Sequence, residues 1–135
     1  MSATYHLAVN GTLMRGFELN KNLLDVGATF VCETKTAPHY RLWSIDDRYP
    51  GMLRVQPPER GAAITVEVWA LDAAGLVTVL AGEPPGLAIG QVLLADGTST
   101  FGVLAEPWII AGQREITEFG GWREYLRAVG RSAGE

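Results

Sequence analysis

Over much of the chain, apolar and polar residues alternate with a period of two, and only three stretches show the longer period of a helix. The clearest alternation covers residues 62–71. It sets Ile64, Val66, Val68 and Ala70 against Thr65, Glu67, Trp69 and Leu71, and predicts the best strand in the chain. A short apolar run over 5–9 predicts a buried strand. Residues 28–35 alternate up to Thr36-Ala37-Pro38, a second run follows over 39–45, and the two are expected to pair antiparallel. Residues 46–50 are polar and charged and read as a loop, and 51–55 form a brief strand ended by Gln56-Pro57-Pro58. Residues 87–94 and 98–105 flank Ala95-Asp96-Gly97, a hairpin signal.

The helical stretches are 18–26, closed by Gly27; 73–81, capped by Asp72 and stopped by Gly82; and 121–127. The second places Leu76, Val77 and Leu80 on one face. The third places Trp122, Tyr125, Leu126 and Val129 on one face, as a lid over the sheet. Residues 130–135 are small and polar and are expected to fray. Strands dominate and helices are inserted rather than alternating. The expected class is therefore α+β: a small, mixed, barrel-like twisted sheet with two or three short helices, in one domain over 1–135.

Composition narrows the function. At 135 residues and 47% hydrophobic, the chain can build one core without staples. Its net charge is −4, and its basic residues are scattered from Arg15 to Arg131. That gives nucleic acid no electrostatic footprint and an anionic membrane surface no reason to bind. No apolar run reaches the roughly 18 residues of a spanning helix. The lone Cys32 cannot pair within the chain, which fits a reducing, cytoplasmic setting. No His, Cys or carboxylate set has ligand spacing, so no metal is expected, and no cofactor.

Two stretches are candidates for chemistry. The turn Val9-Asn10-Gly11-Thr12-Leu13-Met14-Arg15-Gly16 follows a strand, and its successive backbone amides can cradle an anion. Glu83 lies in Gly82-Glu83-Pro84-Pro85-Gly86, where Pro84 forces an extended backbone and a boxed-in carboxyl would titrate near neutrality. Taken by itself, a loop Glu is more often solvated, and a glycine turn is as readily an unliganded connection. Trp43, Trp69, Trp108 and Trp122 read first as core and lid; Tyr40 and Trp108 are the alternatives to line a pocket.

A resemblance sharpens this reading. The stretch from Asn10 to Gly16 resembles the Tyr-Gly-Ser/Thr-Leu loop of the γ-glutamylcyclotransferase-like superfamily. With Thr36-Ala37-Pro38-His39-Tyr40-Arg41-Leu42, Val66-Glu67-Val68-Trp69, Leu87-Ala88-Ile89-Gly90, Ala95-Asp96-Gly97 and Ile116-Thr117-Glu118-Phe119-Gly120-Gly121-Trp122-Arg123, nearly the whole chain resembles the C-terminal domain of allophanate hydrolase. The resemblance implies a small mixed barrel with a pocket between the glycine loop and Glu83, which follows Trp69 by 14 residues, as the catalytic Glu does in the cyclotransferases. It thus implies Glu83 as general acid/base, with Asn10, Gly11, Thr12, Leu13 and Tyr40 binding substrate. Two positions depart from the pattern: Asn10 stands where the superfamily loop opens with Tyr, and allophanate hydrolase domains often carry an apolar residue where this chain has Glu83. The implied function is an enzyme acting on a small amide or ureido acid by a cyclotransfer, lyase or hydrolase-type step. The alternatives are a non-catalytic module that associates with an amidase or forms a homodimer, and a domain that binds a small carboxylate without chemistry.

Overall fold

The strand with the strongest alternation is flanked on both sides. In a computed structural model that describes residues 3–131, β5 (Thr65–Asp72) pairs antiparallel with β1 (Thr4–Val9) and β2 (Thr29–Lys35). On the far side of β1 lies β7 (Ser99–Ala105), parallel to it, followed by β6 (Leu87–Leu93), antiparallel to β7. The order is β2-β5-β1-β7-β6. The ends of β2 and β6 meet in a bridge between Thr36 and Leu94. There the amides of Ala37 and Ala95 donate to the carbonyls of Leu93 and Lys35 at 2.9 and 3.0 Å, which curls the sheet towards a barrel. A second, antiparallel sheet has β3 (Tyr40–Ile45) between β4 (Tyr49–Arg54) and β8 (Arg114–Glu115). The class is α+β with a mixed twisted sheet, as the strand pattern implies.

The expected pairing of β2 with β3 is not formed. The link between them is not a turn: the amide of Thr36 donates to the Ile64 carbonyl at 2.9 Å and its hydroxyl accepts from the Ile64 amide at 3.0 Å, so the chain crosses from one sheet to the other. The charged stretch 46–50 is also shorter as a loop than expected. Asp46 and Asp47 both take left-handed φ, at 53° and 57°, and the Arg48 amide closes the turn on the Ile45 carbonyl at 2.9 Å. This is the backbone of a two-residue hairpin turn built from aspartates rather than Asn-Gly, and β4 starts at Tyr49, immediately after Arg48. Pro50 is accommodated because β4 is an edge strand.

Among the described residues the α-helices are α1 (Asn20–Asp25), α2 (Ala73–Ala81), α3 (Pro107–Ile110) and α4 (Trp122–Ala128), one more than the three stretches that the sequence suggests. Asp72 caps α2 by accepting from the Gly75 amide at 2.7 Å. The buried face of α2 is Gly75 and Val79, with Leu76 packed beside it as expected, whereas Val77 and Leu80 face solvent. α4 buries Trp122, Tyr125 and Leu126, while Val129 lies beyond its end and is exposed. Trp69 and Trp122 are core residues and Trp108 is exposed. The last four residues of the predicted frayed tail lie outside the described residues.

Candidate active site

β1 ends at Val9, and the chain turns at once. The buried Asn10 side chain donates to the Val103 carbonyl on β7 at 3.0 Å and to Met52 Sδ on β4 at 3.8 Å, so its donors tie the start of the turn to two other strands. The carbonyls that follow are all taken. Gly11 O accepts from the Met14 amide at 3.0 Å, Thr12 O from the Leu19 amide at 3.1 Å, and Leu13 O from Asn20 Nδ2 at 2.7 Å. The amides are not taken: among the described residues, the N–H groups of Gly11, Thr12 and Leu13 have no acceptor. Three successive donors without an acceptor, in a loop whose oxygens are satisfied elsewhere, remain available to a ligand.

The loop is fixed by ion pairs on a buried carboxylate that the alternation did not reveal. Glu67 is completely buried on β5. Its Oε1 accepts from the Arg15 amide at 2.9 Å and from Trp69 Nε1 at 3.2 Å, and its Oε2 from Arg15 Nε at 3.1 Å. The Arg123 guanidinium of α4 lies 3.6 Å from Oε2 and donates to the Arg15 carbonyl at 2.8 Å. Sheet, loop and C-terminal helix are joined at one carboxylate.

Glu83 approaches from the other side. α2 stops at Gly82, the Glu83 amide returns to the Leu80 carbonyl at 3.1 Å, and the Leu87 amide to the Pro84 carbonyl at 3.2 Å. Gly86 closes the bend at φ 94°, where a Cβ would lie 2.1 Å from Ile109 Cγ2. Glu83, Asn10, Gly11, Thr12 and Leu13 all line one small hollow of about 20 Å³, completed by Val9, Tyr49, Pro50, Leu87 and Val103. That is room for a single water-sized group. The walls mix apolar side chains with the polar loop, and burial raises the Glu83 carboxyl from 4.5 to about 7. Among the described residues, no hydrogen bond or ion pair offsets that desolvation.

Tyr40 does not belong to the hollow. Its ring is fully buried in the core and its hydroxyl accepts from the Leu93 amide at 2.9 Å, so it holds β3 against β6. Tyr49 is the residue that the sequence reading missed. Its own pKa is raised, chiefly by burial and then by Asp46, with a smaller push from Glu83. Nothing in a charged stretch read as loop would have marked it. Among the described residues, no three His, Cys, Asp or Glu side chains are grouped so as to hold a metal ion.

Gly11 has a steric role of its own, since a Cβ there would sit 2.4 Å from Pro50 Cδ. Gly11→Ala should cost about 1–3 kcal/mol in urea unfolding through this overlap. A loss below about 0.5 kcal/mol would show that Pro50 is not a hard wall.

The architecture is that of the γ-glutamylcyclotransferase-like class. γ-Glutamyl cyclotransferase itself is 13% identical with a TM-score of 0.51, covering 76% of this chain and 67% of that one, a likeness of fold alone. The chain belongs to the allophanate hydrolase C-terminal domain family, which it matches over residues 5–127. It is 31% identical over 134 residues to urea amidolyase of Saccharomyces cerevisiae, covering 95% of this chain and 7% of that protein. A solved structure of c4763, a uropathogenic E. coli-specific protein, is 56% identical with a TM-score of 0.89, covering 93% of this chain and 97% of that one. Kluyveromyces lactis allophanate hydrolase is 28% identical with a TM-score of 0.88, covering 94% of this chain and 22% of that one. The chain therefore spans only a small part of the yeast enzymes that it resembles. Among the described residues, no helix is long and apolar enough to cross a membrane.

Proposed function

We propose that this protein catalyses proton transfer at a small amide or ureido acid, with Glu83 as general acid and base. The observation that carries the reading is a partly buried carboxyl titrating at about 7 in the same hollow as the three unpaired amides of the glycine loop. Near neutrality such a carboxyl is poised between its two forms. It can take a proton from an attacking amine or water and return one to a departing nitrogen. The amides of Gly11, Thr12 and Leu13 would hold the oxygen on which negative charge gathers, in the manner of an oxyanion site. Because the hollow admits only one small group, only the tip of the reacting amide reaches into it, and the rest of the substrate stays outside.

The test is turnover of a panel of γ-glutamyl amides and ureido acids, followed by amine or ammonia release. Activity is expected on at least one, with kcat/KM bending near pH 7. Failure of the whole panel, or a pH profile flat from 5 to 9 on an active substrate, removes Glu83 from the reaction.

A second reading is favoured by one specific observation: in Kluyveromyces lactis allophanate hydrolase the matching region is 22% of a longer chain. On that reading the protein is an accessory module that docks on an amidase or on a second copy of itself. Size-exclusion chromatography with and without a co-expressed amidase distinguishes them, and a monomer in both runs eliminates both.

A further inference from the structure

The hollow at Glu83 is too small for a substrate, yet two residues on its rim, Thr12 and Tyr49, also wall an outer cleft of about 570 Å³. That size lies within the range of small-molecule sites. The cleft carries both signs of charge, from Glu18 and Asp47 on one hand and Arg48 and Arg131 on the other. Asp47 is occupied by the protein. Its Oδ1 accepts from the hydroxyls of Ser44 at 2.6 Å and Tyr125 at 2.7 Å, and its carbonyl accepts from Arg131 at 2.8 Å.

Arg48 is different. Among the described residues, Arg48 has neither a carboxylate partner nor a hydrogen bond from its side chain. It is exposed, but its backbone is not loose. The left-handed pair Asp46–Asp47 and the clamp from Asp47 to Tyr125 of α4 hold the turn that presents it, next to Tyr49. An uncommitted guanidinium on a fixed mount beside the entrance to the hollow is a carboxylate receptor in form.

We propose that the outer cleft binds the non-reacting end of the substrate and that Arg48 takes a carboxylate there. Arg48 then determines specificity for acids whose carboxylate and amide are several bonds apart. The proposal rests on the reading of the hollow only in naming an amide as the other end. It selects between the two substrate classes above: in a ureido acid such as allophanate the carboxylate is attached directly to the ureido nitrogen and cannot reach the cleft while the amide occupies the hollow.

The test uses malonamate, succinamate and glutaramate, in which one, two and three methylenes separate amide from carboxylate, together with glutaramate methyl ester. Binding to the wild type and to Arg48→Gln is measured by NMR titration. Affinity for the wild type is expected to rise along the series and to fall on esterification. Arg48→Gln should weaken glutaramate binding about tenfold, Arg48→Lys should restore part of it, and the ester should bind both proteins alike. Glutaramate binding unchanged in Arg48→Gln, or affinity indifferent to chain length, overturns the proposal. Turnover reports separately on Glu83: a wild type that holds glutaramate through Arg48 but converts no amide supports this inference and sinks only the catalytic reading.

Discussion

Glu83→Gln is expected to lose 10²- to 10⁴-fold in turnover, the usual share of a general acid–base group, and at the same time to become more stable than the wild type in alkaline buffer. The two effects have one cause. A carboxyl raised from 4.5 to about 7 binds its proton more tightly in the folded than in the unfolded chain. The folded state is therefore favoured while the group is protonated, below about pH 4.5, and that advantage is lost as pH rises through about 7. The shift corresponds to at most about 3 kcal/mol, an upper bound because the carboxyl is only partly buried. Gln has the shape of the neutral acid and cannot ionise. Its unfolding free energy should match the wild type near pH 4.5 and exceed it by up to about 3 kcal/mol above pH 8. Urea titrations at three pH values read the difference directly. Parallel curves for the two proteins would mean that the carboxylate is solvated and the catalytic reading has lost its physical basis.

The second large effect concerns stability alone. Glu67→Ala should lower the unfolding free energy by about 3 kcal/mol, at the low end of the range for breaking a buried ion pair, because the stranded cations can recover some water. Arg15 and Arg123 keep 49% and 24% of their side-chain surface exposed, whereas Glu67 keeps none. Removing it leaves the Arg15 amide and Trp69 Nε1 without an acceptor and opens a void between β5 and the glycine loop. Glu67→Gln preserves shape and one acceptor and should lose markedly less. A Glu67→Ala variant within 1 kcal/mol of the wild type would mean that the loop is held by its own turn hydrogen bonds instead.

How much of this was legible beforehand depends on the range over which each feature is decided. Strand positions could be read because alternation is local, and Asp72 could be read as a cap because its partner, the Gly75 amide, is three residues on. Glu83 stood out through the family resemblance, by its 14-residue distance from Trp69; its proline loop alone reads as readily solvated. Pairing was harder: β2 and β3 are neighbours in sequence, but Thr36 and Ala37 in the link between them bond to Ile64 and Leu93, far along the chain. Glu67 alternates as an outward residue would, and only the packing of the glycine loop over that face of β5 buries it. Tyr40 reads as a candidate pocket aromatic, yet its ring is buried in the core and its hydroxyl accepts from the Leu93 amide, a partner 53 residues away that no local pattern shows. Tyr49 and Arg48 were hidden in a run of charges whose two left-handed aspartates make a hairpin without a glycine.

The position of β1 between β5 and β7 sets the timing of assembly. Leu7 is hydrogen-bond neighbour to Trp69 on one side and Phe101 on the other, so the first strand waits for partners from the middle and far end of the chain. The glycine turn that follows β1 is thus held in place by contacts of long sequence separation, the kind that slow a domain's assembly.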